Sequence, residues 1–304
     1  MRSLFSGPTG LRAGWRFLLY VSLFLAATAL LQLLVFQVGG YKPHQGWHWL
    51  DFLLSDGTGL LAALAAAGVM ARVDRRPLGD FGLPIRAGLG ARFGEGALWG
   101  TTGVAALMAL IWLAGGVSMD GLALHGSALA RSAALWAMTM IILGLYEEFV
   151  FRGYPLVALA GGIGFWSAAI TLSVFFGLLH YFTKPLETVM DALNVTLLAL
   201  FLCLTFRRTG SLWFAAGFHA AFDFAAIIFF GAPNTGNAGK PVADHILATT
   251  FHGPVWLTGG PMGIEASVLA IVVIAAMGLL FDRRHPDRSP RAAVSPVATH
   301  ELTS

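Results

Sequence analysis

The sequence predicts an all-α polytopic membrane protein of about eight transmembrane helices, and three observations carry that prediction. Residues of the set AVILMFWYC make up 57% of the 304-residue chain, and 37 glycines add to them. Charged residues are 12% of the total, about half of the roughly 25% usual in soluble domains. The apolar residues also fall into runs long enough to cross a bilayer, which takes about 20 residues at 1.5 Å rise each. A soluble fold would lack its polar shell, and a disordered chain would not be this apolar. The single cysteine, Cys203, excludes an intramolecular disulfide and a Cys-rich zinc module.

The eight runs are 17–38, 50–71, 96–117, 130–150, 163–182, 188–206, 211–230 and 264–281. The first follows Arg12 and Arg16 but is longer than a signal-peptide core, so it reads as a retained anchor. Basic residues near span ends mark the cytoplasmic side. Fifteen of the 19 Lys and Arg residues, among them Arg2, Arg12, Arg16, Arg72, Arg75, Arg76, Arg86 and Arg92, fall on one side. Lys42, Lys184, Lys240 and Arg131 fall on the other, so both termini are expected in the cytoplasm. This asymmetry accounts for the formal charge of +3 without a nucleic-acid partner. The expected organisation is one transmembrane domain over 1–282 and a disordered cytoplasmic tail over 283–304. The Arg72–Glu95 loop is expected at the cytoplasmic interface, and the Gly231–Met262 loop on the opposite side.

Ionisable groups inside apolar spans cost several kcal/mol, so each one asks for a reason. The densest run is Tyr146-Glu147-Glu148-Phe149-Val150-Phe151-Arg152. On a helix Glu148 and Arg152 share a face and can pair, whereas Glu147 is rotated about 100° away. One carboxylate is then held by a guanidinium and one is free. Taken alone, a helix-end salt bridge at the headgroup boundary explains the run as well. His180 closes Phe176-Gly177-Leu178-Leu179-His180, and His219 and Asp223 lie four apart on one face of an apolar span. The bland accounts are an interfacial histidine and a helix-joining hydrogen bond. Together these spans supply acid, base and hydrogen-bond donors sufficient for hydrolysis by water. Glu147 is the candidate base, His180 can hold the water, and His219 can donate to a developing oxyanion. No serine or cysteine is comparably placed.

These motifs resemble the CAAX prenyl protease family, also called the CPBP or Abi family of intramembrane endopeptidases. Its pattern is matched in order by Glu147-Glu148…Arg152, Phe176…His180 and His219…Asp223, with Arg208-Thr209-Gly210-Ser211-Leu212-Trp213 leading into the last. The match covers a protease core of about 130–230. The resemblance implies eight helices around a polar intramembrane chamber. It also implies that Glu147 activates water with help from His180, while Glu148 and Arg152 organise the site. Its implied partners are the lipid bilayer and a membrane-proximal or lipid-modified peptide. Its implied location is a bacterial plasma (inner) membrane, with no cofactor or metal. The family's third motif commonly ends in Asn. Asp223 donates a hydrogen bond only when protonated, so it is expected to donate in that form or to orient His219.

Three alternatives stay open on the residues alone. A zinc-dependent protease would use His180, His219 and a glutamate, which is an acceptable ligand set. A non-enzymatic scaffold or immunity factor would keep the motif for packing. A proton-coupled transporter is the weakest, because no paired broken helices mark equivalent halves. His44 and His48, near Asp51, read as part of an interfacial aromatic belt with Trp47 and Trp49, metal binding being the minor alternative. Asp51 and Asp56, near the start of the second span, read as interfacial or cavity-lining, and Asp191 and Asn194, early in the sixth, as candidate chamber-lining groups without a role. Asp244, His245 and His252 are expected in solvent. Span four is expected to end near 150, which sets Glu147 and His180 at different depths unless the helices tilt or the span reaches about Leu159.

Overall fold

A computed structural model describes residues 6–7, 10–84 and 89–286. Most of the expected tail, together with Arg2, Arg86, Arg288 and Arg291, lies outside the described residues. The short pair β1 (Ser6–Gly7) and β2 (Gly10–Leu11) precedes the first helix. Helix α1 begins at Ala13, and the helical span runs to Val38, its last six residues in π geometry. Helices α2 (Trp49–Asp74), α3 (Leu89–Leu113), α4 (Gly126–Arg152) and α5 (Tyr154–Ile163) follow. After them come α6 (Phe165–Thr183), α7 (Val189–Thr209) and α8 (Trp213–Asp223), which continues to Phe229 as a π-helix. A single turn, α9 (Val255–Thr258), leads to α10 (Val268–Arg284).

Six of these segments are long and apolar enough to cross a membrane; Trp213–Phe229 is shorter, as is the 17-residue α10. The eight expected runs thus all appear as helices, six of them at spanning length among the described residues. The chain is an integral multi-pass membrane protein. Lipid cannot hydrogen-bond exposed backbone, which is why the apolar runs become helices.

Three features differ from the sequence reading. The fourth span does not stop at 150 but continues through α4 and α5 over Gly126–Ile163, 38 residues. Gly153 breaks the helix locally, and a Cβ there would stand 2.4 Å from the Phe149 carbonyl oxygen. Pro155 then sits in the first turn of α5, where its missing N–H costs nothing. Glu147 lies 16 residues before the end of α5 and His180 lies 15 after the start of α6. Both line one cavity, so the expected separation between them is not found.

The second difference is a ribbon among the helices. Strand β3 (Val117–Leu122) pairs antiparallel with β4 (Leu247–Phe251), which brings the α3–α4 connection onto the long loop after α8. That loop is not simply solvated: Asp244 is half-buried and accepts from Trp136 Nε1 (2.9 Å) and Ser132 Oγ (3.3 Å). His252 is exposed, as expected. Third, the α2–α3 loop does not merely rest at an interface. Phe81 is fully buried and edges against Tyr154 at 4.8 Å, and the Gly82 carbonyl accepts from Leu212 N–H (2.7 Å). Asp74 joins this end by accepting from Tyr154 Oη (2.8 Å) and pairing with Arg16 (3.3 Å).

Helix α8 is enclosed by glycine contacts. Added Cβ atoms at Gly96 and Gly100 of α3 would stand 2.0 Å and 2.3 Å from the carbonyl oxygens of Phe214 and Phe218. Gly217 of α8 faces the Phe93 carbonyl in the same way, at 2.1 Å, and Gly144 of α4 faces Ala216 at 2.9 Å. Small residues four apart let helix backbones touch, where van der Waals packing replaces the hydrophobic effect. Gly217→Ala is therefore expected to destabilise the protein by about 1–3 kcal/mol through overpacking. Gly278→Ala, on open space in α10, should be near neutral. Thermal unfolding in detergent measures the contrast.

Candidate active site

The six polar residues of the motifs converge where α4, α6 and α8 meet. Helix α4 carries Glu147, Glu148 and Arg152, with Glu148 and Arg152 one turn apart on its buried face. Arg152 Nη1 donates to Glu148 Oε1 at 2.6 Å, and both side chains are almost fully buried. Arg152 Nε also reaches the Ala199 carbonyl of α7 (3.4 Å), and its guanidinium lies over the Phe176 ring at 5.3 Å. A buried charge is tolerated only with such a set of partners.

His219 of α8 ties this pair to the rest. Its Nδ1 is 2.8 Å from the same Glu148 Oε1, the geometry of an N–H donating to a carboxylate. Its Nε2 faces Glu147 Oε2 at 3.7 Å and Asp223 Oδ2 at 3.4 Å. A protonated imidazole donates from both nitrogens, and three carboxylates surround this one. Glu147 is rotated off the Arg152 face, and its side chain is 24% exposed, against 1% for Glu148. It borders a cavity of about 150 Å³, large enough for ordered water.

His180 lines the same cavity from α6. Its Nδ1 is 2.9 Å from the Phe176 carbonyl, so a neutral ring donating there keeps its lone pair on Nε2. The Phe-x-x-x-His spacing thus has two uses: Phe176 covers the Arg152 guanidinium with its ring and fixes the His180 tautomer with its carbonyl. Gly177 lets α6 approach α7, since an added Cβ would stand 2.1 Å from Thr196 Oγ1.

Asp56 of α2 also lines the cavity, and its Oδ2 is buried without a partner among the described residues. Lys184, Glu265, Asn234 and Trp47 complete the rim, although nothing in their local sequence marks them. They come from four connections distant in sequence. Two other candidates have structural roles. Asp191 forms a capping box with Thr188 at the start of α7, and Asn194 Nδ2 donates to the Glu265 and Ser267 carbonyls (2.7 and 3.2 Å). Cys203 is buried beside Ser173 and does not line the cavity.

Fold and cluster together define a multi-pass membrane protein with ionisable groups gathered inside its helical bundle. Residues 129–225 match the family model described as type II CAAX prenyl endopeptidase, Rce1-like, which bears out the resemblance to the CAAX prenyl protease family. The matched segment runs from α4 into the π-helical end of α8 and contains all six motif residues. No curated protein matches the chain, and no solved structure does.

Arg152→Ala is expected to cost about 3–5 kcal/mol, because it leaves the Glu148 carboxylate buried without its guanidinium. Glu147→Ala, facing the cavity, should shift the unfolding midpoint far less. Parallel melts of the two purified variants make the comparison.

Proposed function

We propose that this protein is an intramembrane endopeptidase that cleaves a membrane-associated or lipid-modified peptide with water activated by Glu147. The supporting observation is the split between adjacent carboxylates: Glu148 takes both Arg152 and His219 on one oxygen, while Glu147 stands at the cavity. In this reading Glu147 removes a proton from water as its oxygen attacks the scissile carbonyl. It returns the proton to the leaving amine as the tetrahedral intermediate collapses. His180 Nε2 accepts a hydrogen bond from the attacking water and so positions it. His219 Nε2 donates to the oxyanion, its ring held by Glu148 on the opposite nitrogen. Asp223 keeps that ring oriented and charged. Arg152 compensates Glu148 and touches no reacting atom.

A zinc mechanism has less support. Among the described residues, the three-residue group whose ligand atoms all lie within 4.8 Å of one another is His44, His48 and Asp51. His180, His219 and Glu147 do not form such a group. The finer topology belongs to the same proposal: eight helices around the chamber, both termini in the cytoplasm, and residence in a bacterial plasma membrane.

General acid–base groups contribute about 10²–10⁴-fold to rate. Glu147→Gln and His180→Ala should each lower peptide cleavage by purified protein at least about 100-fold with unchanged folding. Cleavage equal to wild type in both would refute the proposal, and absence of cleavage by wild type itself would favour a scaffold. Asp223→Asn removes a charge facing His219 and is expected to slow turnover about tenfold, ~1.4 kcal/mol. Full retention would show that position 223 acts as a donor.

A further inference from the structure

The cluster His44, His48 and Asp51 takes no part in the hydrolysis described above. It lies where the α1–α2 connection meets the first turn of α2. Asp51 is held at both oxygens. Tyr41 Oη donates to Oδ1 at 2.5 Å, His44 Nδ1 lies 3.0 Å from Oδ1, and the His44 backbone N–H donates to Oδ2 at 3.0 Å. The His48 ring stacks on that of His44 with centroids 3.7 Å apart and planes 21° from parallel. Its Nδ1 accepts from Leu50 N–H at 3.3 Å and caps α2, which leaves Nε2 without a role in the cap.

We infer that His44, His48 and Asp51 form a binding site for one first-row divalent transition cation of the zinc class. Two imidazoles and a carboxylate are a standard open zinc set, with water in the fourth position. Bonds of about 2.0 Å in tetrahedral geometry put ligand atoms about 3.3 Å apart. The ligand atoms here already lie within 4.8 Å of one another, and closing the set requires one imidazole to turn out of the His44–His48 stack so that both in-plane lone pairs meet the cation. The carboxylate is fixed beforehand by Tyr41 and the His44 backbone, the kind of outer support that orients ligands in metal sites. Coordination through His44 Nδ1 moves that ring's proton to Nε2, a change of tautomer without a change of charge. With 45% of its side chain exposed, His44 leaves the site open to ions from water. Oxygen-only cations such as Mg²⁺ prefer carboxylates and water to imidazole.

An aromatic belt explains why Trp47 and Trp49 stand at this level, but not why two imidazoles and an anchored carboxylate converge. The segment matters to the cavity because Trp47, lying between the two histidines, lines it and packs on Phe52 at 4.5 Å. Asn237 Oδ1 accepts from Trp47 N–H (3.2 Å). A cation bridging His44, His48 and Asp51 would fasten both ends of this turn to α2.

The test uses the full-length protein, stripped of metal, with cobalt(II) as a spectroscopic probe and zinc(II) in thermal melts. One equivalent of cobalt is expected to produce the visible bands of a tetrahedral nitrogen–oxygen site. Zinc is expected to raise the unfolding midpoint by mass action. Outer-shell changes alone cost metal sites about 10–100-fold in affinity, so His44→Gln and His48→Asn should each lose at least 100-fold. Asn preserves the helix cap while removing the imidazole, so His48→Asn tests ligation apart from folding. His180→Ala should bind cobalt as wild type does. The inference is overturned by absence of both bands and a zinc-dependent shift in wild type. Binding that survives both histidine variants, or that only His180→Ala abolishes, would also overturn it.

Discussion

One oxygen of Glu148 faces two donors of different kinds, a guanidinium and an imidazole, and the rest of the site depends on that contact. Arg152 approaches from one turn along the same helix, and His219 approaches from α8. Burial makes the carboxylate expensive unless both donors are present, and it makes each donor expensive without the carboxylate. The three groups therefore specify one another's rotamers. Because Glu148 holds the histidine, Glu147 is left facing the cavity, one residue earlier and about 100° around the helix. Two identical side chains in succession acquire different environments from helix geometry alone.

Close backbone packing supplies the rigidity this arrangement needs. A hydrogen bond of 2.8 Å between α4 and α8 tolerates little sliding, and glycines on α3, α4 and α8 remove the side chains that would hold the helices apart. In lipid there is no strong hydrophobic force between helices, so contact area at the backbone has to substitute. The interruption at Gly153 contributes differently. It lets one apolar element extend 38 residues, which puts a glutamate near what looks like a helix end well inside that element, on the cavity that His180 also lines.

Much of this was legible in the sequence because it depends on local periodicity. The apolar runs, the Glu148–Arg152 spacing and the His219–Asp223 face follow from 20-residue and four-residue regularities. The end of the fourth span is ambiguous in the sequence, near 150 or near Leu159, because Arg152, Gly153 and Pro155 resemble a helix terminus. Buried pairing and a first-turn proline make that terminus an interior joint. The β3–β4 ribbon was missed because its first strand, Val-Ser-Met-Asp-Gly-Leu, is short and contains a glycine at an irregular register. Lys184, Asn234 and Glu265 were invisible as cavity groups because only tertiary folding brings their loops over the bundle. Asp191 and Asn194 drew attention as polar residues in an apolar run. Their work is to start a helix and anchor a loop.

The loop-built rim of the cavity separates two kinds of evolutionary freedom. The glutamates and histidines sit on helices whose backbones touch, so their positions are coupled to nearly every neighbour. Trp47, Asn234 and Glu265 sit on connections, which accept changes of length and composition at lower cost. Changes in these connections would therefore alter the lining of the cavity without moving the helices that carry the ionisable groups.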